Sequence, residues 1–388
     1  MFVREGEVIL VKSGIRMGSA ALAGLMIVVL AAAANAPTTL KDSYKGDFVV
    51  GAAMSAGDIT GQDQRDDALL SIQFNSISPE NVLKWEAIHP EPGTYDFDRA
   101  DRYVAFGVAH HMWVHGHTLV WHNQVPAWVF HDDKGNLVDR DTLLARMREH
   151  ILAVVGRYKG KIRSWDVVNE ALNEDGTMRQ SLWYRIIGPD YIEKAFTYAH
   201  KADPRAQLVY NDYNLENEPK RSGAVALVKK LQAEGIPIGC VGLQGHDSLT
   251  WPTAEQEDAT IAAFAALGVK VAISELDVDV LPATGHQPTA DVSVHIEQNA
   301  GLNPYVSGLP GSVAKQEAAQ YANLFRVFLK HRDAVERVTF WGVTDATSWR
   351  NDFPVRGRTN YPLLFDRNGQ LKPAFDAVIA VASKSTQR

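Results

Sequence analysis

From residue 48 onward the chain alternates short apolar runs with longer stretches in which apolar residues recur at helical spacing. Eight runs stand out: Phe48–Met54, Phe74–Ser78, Trp113–Leu119, Ser164–Asn169, Gln207–Asn211, Gly239–Leu243, Val269–Ser274 and Val338–Val343. Runs this continuously apolar suit strands of a parallel sheet that is covered on both faces. In the stretch after the third run, Leu144, Met147, Ile151 and Val155 fall on one helical face, and Gly156 and Gly160 offer a stop. Eight strand-helix repeats predict an α/β protein with a single closed (β/α)8 barrel. The rival architecture, a doubly wound open sheet, asks for a phosphate-cradling glycine-rich turn after an early strand, and Gly51-Ala52-Ala53 matches that motif poorly.

A barrel of this kind builds its active site at the C-terminal ends of its strands. The polar residues fall there. Glu80-Asn81 and Lys84-Trp85 follow the second run, His117 and Trp121 the third, and Asn169-Glu170 closes the fourth. Asn211-Asp212-Tyr213-Asn214 closes the fifth, Gln244 and His246 follow the sixth, Glu275 and Asp277 the seventh, and Trp341 and Asp345 belong to the eighth. The proline- and glycine-rich stretch 281–314 reads as a long loop after the seventh strand, and so as part of the same face.

Composition changes this picture little. Acidic residues (46) outnumber basic ones (39), which gives no footprint for nucleic acid. The single cysteine, Cys240, can form no intramolecular disulfide and reads as a buried inert thiol. The beginning of the chain differs in kind: Ala20–Ala34 is apolar and uncharged, preceded by Lys12 and Arg16 and followed by Ala34-Asn35-Ala36. That is the pattern of a secretory signal with cleavage near residue 36, and the run is shorter than the about 20 residues a membrane span needs. An uncleaved anchor is the alternative. The expected organisation is an export signal over 1–36, a short polar segment over 37–47, and one catalytic barrel over 48–388. The mature chain is then secreted, periplasmic or extracellular, with no stable membrane association.

Glycosidic hydrolysis needs one carboxylic acid to protonate the departing oxygen and a second carboxylate to attack or stabilise the anomeric carbon. Glu170 and Glu275 end the fourth and seventh strands, so barrel closure can bring both to one mouth. Strand-end glutamates also serve as structural ion pairs, here with Lys84 or Arg350. The spacing His115-Gly116-His117 admits a metal site, provided that other strands supply further ligands.

The strings Glu80-Asn81-Val82-Leu83-Lys84-Trp85, Gly116-His117-Thr118-Leu119-Val120-Trp121-His122, Trp165-Asp166-Val167-Val168-Asn169-Glu170, Gly242-Leu243-Gln244-Gly245-His246 and Ile273-Ser274-Glu275-Leu276-Asp277 resemble the successive motifs of glycoside hydrolase family ten, the endo-β-1,4-xylanases. The resemblance runs over about residues 45–380, and Trp341 and Trp349 complete the set. It implies a retaining hydrolase with Glu170 as general acid/base and Glu275 as nucleophile, acting on xylan and xylo-oligosaccharides without metal or other cofactor. It further implies that His246, backed by Asp277, aims Glu275, and that Asn169 bonds the sugar 2-hydroxyl. Glu80, Asn81, Lys84, His117, Trp121 and Gln244 then bind the sugars before the cut, Trp341 and Trp349 enclose them, and Tyr213 lies on the leaving-group side. The six remaining tryptophans read as core or rim aromatics. Two other functions fit parts of the same sequence. A metal-dependent barrel hydrolase would lose activity to a chelator, and a non-catalytic xylan-binding barrel would bind without cutting.

Overall fold

The structure, a computed structural model, describes residues 39–284 and 291–385. The expected export signal over 1–36 lies outside the described residues, as do 285–290 of the long loop. Among the described residues nine parallel strands are present: β1 (Val49–Met54), β2 (Ser76–Pro79), β3 (Trp113–Gly116), β4 (Ser164–Asn169), β5 (Gln207–Asp212), β6 (Cys240–Leu243), β7 (His246–Ser248), β8 (Lys270–Asp279) and β9 (Val335–Phe340). Eight of them form the ring β6-β5-β4-β3-β2-β1-β9-β8, and pairing of β6 with β8 closes it. This is the (β/α)8 barrel the alternation predicts. Ile77, Val114, Val167, Val241 and Val271 are among its fully or almost fully buried residues, as is Cys240, whose thiol burial pushes well above its usual range.

The strand limits shift where side chains or turns compete with the apolar pattern. Phe74, expected in the second strand, instead caps the helix Gln64–Gln73. β3 stops at Gly116, ahead of the cis peptide His117–Thr118. The seventh run extends five residues further than expected, to Asp279, because it gains partners on both sides: Leu276 pairs with Phe340, and His246 of the short β7 pairs with Asp277. Glu275 and Asp277 therefore sit inside a strand. The eighth run starts earlier, at Val335, and ends at Phe340 rather than Val343.

The predicted helix after β3 spans Arg140–Arg157, capped by Asp139, whose carboxylate accepts from the Thr142 amide at 2.8 Å. Its last turn includes Gly156, so Gly160, at φ +74°, is the glycine beyond its end. The segment before the barrel is not merely polar: Leu40 and Tyr44 are fully buried, and the Tyr44 hydroxyl donates to the Val378 carbonyl of the final helix at 2.7 Å. The long loop ends earlier than expected, since a helix begins at Gly311 and 311–314 belong to it. Its described part packs on the segment after β9: the Thr359 amide donates to Asn303 at 2.9 Å and the Tyr361 hydroxyl to the Tyr305 carbonyl at 2.9 Å. No helix among the described residues is long and apolar enough to cross a membrane.

Beneath the barrel mouth, His89 and His150 face each other, Nδ1 to Nδ1 at 3.3 Å, and His150 stacks on Trp85 at 3.7 Å between centroids. Only one proton fits between those nitrogens. Burial lowers His89 from 6.5 to about 4 and His150 well below its ordinary value. The folded chain thus refuses protons that the unfolded chain accepts. The pair's contribution is complete above pH 6.5 and is lost as pH falls toward 4. The urea midpoint is expected to fall over that interval, and to fall less in the double variant His89→Phe/His150→Phe; parallel acid slopes for the two proteins would contradict this.

Candidate active site

Residues just past β4 and β6, at the end of β5 and within β8 carry the chemistry. At the end of β4 the chain leaves extended geometry, and Glu170 adopts φ +57°. A left-handed non-glycine residue costs on the order of 1–3 kcal/mol, so the surroundings must hold it. They do: the Glu170 amide donates to the Asn211 carbonyl at 2.9 Å, and the Glu170 carbonyl accepts from Arg179 Nε at 2.9 Å. The side chain is buried to 7% exposure. Its Oε2 accepts from the Trp121 indole at 2.9 Å and its Oε1 from Gln244 at 3.0 Å.

Glu275, 5% exposed, meets a different set of donors. Asn211 Nδ2 donates to its Oε1 at 2.8 Å, and His246 Nε2 stands 3.3 Å from its Oε2. The same Asn211 amide donates to Asn169 at 3.0 Å, and Ser274 Oγ donates to Asn211 Oδ1 at 2.6 Å, fixing which way the amide points. Room for that side chain comes from its neighbour on β6, Gly242, where a Cβ would stand 2.2 Å from Asn211 Oδ1. Burial pushes Glu275 up, but the hydrogen bond from His246 and the nearby charges of His117 and His246 outweigh it, and the carboxyl lies below its ordinary value. Glu275 is therefore ionised at neutral pH.

His246 is held from behind by Asp277, with Nδ1 at 3.1 Å from Oδ2. Asp277, fully buried, also accepts from the Trp349 indole at 2.7 Å and from Arg350 Nε at 3.0 Å. Burial disfavours both charges. For His246 the Asp277 charge and hydrogen bonds prevail and raise it from 6.5 to about 9; for Asp277 the Arg350 and His246 charges prevail and lower it from 3.8 to about 2. One carboxylate thus orients a cation toward Glu275 and an aromatic plane along the wall.

Glu170, Glu275, His246, Trp121, Gln244, Asn169, Trp349 and Arg350 open onto one cleft of about 510 Å³, with Asp277 behind His246. Glu80, Asn81, Lys84, His117, Trp121, Asn169, Tyr213, Gln244, His246, Trp341 and Trp349 line it together with Glu170 and Glu275. Lys84 donates to Asn81 at 2.9 Å and to Gln124 at 2.8 Å, and lies 5.0 Å from the centre of the Trp121 ring. Among the described residues neither Lys84 nor Arg350 forms an ion pair within 4.0 Å of Glu170 or Glu275; Arg350 binds Asp277 and Asp279 instead. His115 and His117 both turn a ring nitrogen to Asp166 Oδ2, at 3.0 and 2.8 Å. Asp345, read at the eighth strand end, is fully buried against Lys372 at 3.0 Å. Trp85, Trp165 and Trp183 are buried, and Trp113, Trp128 and Trp251 half-buried, all outside the cleft.

Sequence reasoning missed Gln124, Phe353, Val292 and His295 in the cleft wall, took Arg350 there only as an alternative ion-pair partner of the glutamates, and gave Asn211 beneath it no role beyond its place in the polar string that closes the fifth strand. Val292 and His295 place the described end of the long loop at the mouth, where Phe353 stacks on Trp349 at 5.1 Å between centroids.

Two buried carboxylates with unlike donors, in a polar cleft walled by tryptophan at the C-terminal mouth of a (β/α)8 barrel, define a glycoside hydrolase. The family model for glycosyl hydrolase family 10 matches residues 39–381. The endo-1,4-beta-xylanase A of Xylanibacter ruminicola is 46% identical over 356 residues, covering 92% of this chain and 96% of that protein. The beta-1,4-xylanase of Dictyoglomus thermophilum is 45% identical, covering 88% of this chain and 90% of that one. Among solved structures, a family 10 endoxylanase retrieved from a sugarcane soil metagenome superposes with a TM-score of 0.86 at 45% identity, covering 88% of this chain and 99% of its own. A xylanase of Thermoanaerobacterium saccharolyticum, solved as a mutant in complex with xylotriose, superposes with a TM-score of 0.77 at 37% identity, covering 89% and 99%. The chain belongs to glycosyl hydrolase family 10.

Proposed function

We propose that the protein is an endo-β-1,4-xylanase that cuts internal bonds of xylan with retention of anomeric configuration. In the first step the Glu275 carboxylate attacks the anomeric carbon while Glu170 gives its proton to the departing glycosidic oxygen, so the carbon-oxygen bond breaks and a glycosyl ester forms on Glu275. In the second, ionised Glu170 takes a proton from water as that water attacks the same carbon, and Glu275 leaves. Two inversions make retention. The observation that carries this reading is the contrast between the two carboxylates of one cleft: Glu275 is kept ionised by His246 and also accepts from Asn211, whereas Glu170 is held by three neutral donors, Trp121, Gln244 and, at 3.4 Å, Asn169. Asn169, tied to both through Asn211 and Gln244, suits the sugar 2-hydroxyl, a contact that strengthens in the transition state. The relatives named as xylanases, and the xylotriose complex of one of them, support xylan and xylo-oligosaccharides as substrates. Residues 1–36 fit this reading as an export signal, since polymeric xylan is met outside the cell.

The glycone wall of Glu80, Asn81, Lys84, Trp341 and Trp349 suits a pentose without an exocyclic hydroxymethyl. Xylan is expected to be preferred over cellulose, and because extra bulk costs about 1–3 kcal/mol in such pockets, the ratio of kcat/KM is expected at roughly 10 to 200-fold. Equal kcat/KM on matched xylo- and gluco-oligosaccharides would refute the substrate assignment.

A further inference from the structure

The nine residues after Glu170 fold back on themselves. Leu172 bridges Met178 in antiparallel register, the Asn173 amide donates to the Thr177 carbonyl at 2.8 Å, and the Arg179 amide reaches the Ala171 carbonyl at 2.8 Å. The tip is wedged against the helix Glu218–Ala233, which follows β5: a Cβ on Gly176 would lie 2.3 Å from the Pro219 carbonyl oxygen. The hairpin is thereby held at both ends, and it returns the Arg179 guanidinium to the residue from which it started.

That guanidinium makes three hydrogen bonds. Its Nε donates to the Glu170 carbonyl at 2.9 Å, and its Nη2 donates to the Leu172 carbonyl at 2.9 Å and to the Tyr213 hydroxyl at 3.1 Å. Tyr213 is fixed from its face as well, by Lys220 Nζ at 3.3 Å from the ring centre, itself buried and paired with Asp212 at 3.0 Å. One planar, permanently charged fork therefore grips both the carbonyl of a residue in left-handed geometry and the hydroxyl of an aromatic in the cleft wall.

Building on the reading of Glu170 as acid/base and Tyr213 as leaving-group platform, we propose that Arg179 is a positioning residue that keeps the proton donor in register with the sugar about to depart. Its bond to the Glu170 carbonyl opposes relaxation of the φ +57° backbone, which would swing the carboxyl away from the glycosidic oxygen. Its bond to Tyr213 ties that orientation to the platform beneath the leaving sugar. Arg179 itself transfers no proton.

The test uses the full chain and kcat/KM, which reports glycosylation alone. Wild type is assayed on xylotetraose, whose departing sugar needs a proton, and on 2,4-dinitrophenyl xylobioside, whose departing phenolate needs none; wild type cleaving neither would overturn the proposed function itself. Given wild-type activity, Arg179→Met is expected to lose about ten- to a hundredfold on xylotetraose and less than about threefold on the aryl glycoside. Arg179→Lys, which keeps the charge but not the fork, is expected to lie between Met and wild type on xylotetraose. Tyr213→Phe is expected to reduce only the xylotetraose rate, and adding it to Arg179→Met to cost less than the two single losses multiplied. Equal losses on both substrates, an unchanged xylotetraose rate, or fully multiplicative losses would each overturn the proposal. If Arg179→Met fails to fold, the substrate ratio of Arg179→Lys and the Tyr213→Phe result decide it in the same way.

Discussion

Glu170→Ala and Glu275→Ala are expected to fail in different ways. Without Glu170, glycosides with poor leaving groups lose their proton donor, a loss of about 10²–10⁴-fold. An activated aryl xylobioside departs unprotonated and still forms the ester on Glu275, after which turnover stalls for want of a base. Azide needs no base, fits the space vacated beside Trp121 and Gln244, and is expected to restore turnover as the β-glycosyl azide. Without Glu275 nothing remains to attack, and both substrate classes are expected to fall to background. Azide attacking from the vacated face then gives the α product. The anomer, read by proton NMR, is the deciding observation: the same anomer from both variants, or equal losses on aryl and natural substrates, would remove the assignment of roles.

Asp277→Ala is expected to have the largest effect on stability of any substitution near the cleft. It leaves Arg350 and His246 without their shared counter-ion and the Trp349 indole without its acceptor. Breaking one partner of a buried charge pair costs about 3–5 kcal/mol. The pH dependence has two limbs. Asp277 is lowered from 3.8 to about 2, so its contribution is complete above pH 3.8 and fades as pH falls toward 2. His246 is raised from 6.5 to about 9, so its contribution is complete below pH 6.5 and fades as pH rises through 9. The difference in unfolding free energy between wild type and variant is therefore expected to peak between about pH 4 and 6.5. Urea titrations from pH 3 to 10 measure it, and a difference that stays flat or grows toward pH 9 would contradict the network as described. Activity is expected to fall as well, by at least about tenfold, because His246 and Trp349 lose their shared anchor.

The barrel was legible because its strands are buried on both faces and so read as near-continuous apolar runs. Limits were less so, because they depend on partners: nothing within Val269–Ser274 says that Phe340 and His246 will pair with the residues beyond it. Cleft residues could be found where position and chemistry coincide, as for Glu170, His246 and Trp341 at strand ends. Asn211 stands in the polar string closing the fifth strand, but only register against Gly242 sets it apart from Asp212 beside it. Arg179 lies nine residues from Glu170 and returns to it only through the hairpin. Val292 and His295 belong to a loop whose composition marks it as irregular without saying where it comes to rest.

The ring closes through its last member: β9 fills the gap between β1 and β8, and the first described helix rests against the last through Tyr44 and Val378. A growing chain therefore carries two open sheet edges until residue 340 has been made. No shorter stretch has a sealed core, and premature termination yields a sticky half-cylinder rather than a smaller enzyme. This delay keeps the chain pliable for most of its synthesis. It also makes the ribosome's final stretch of work the moment at which folding commits.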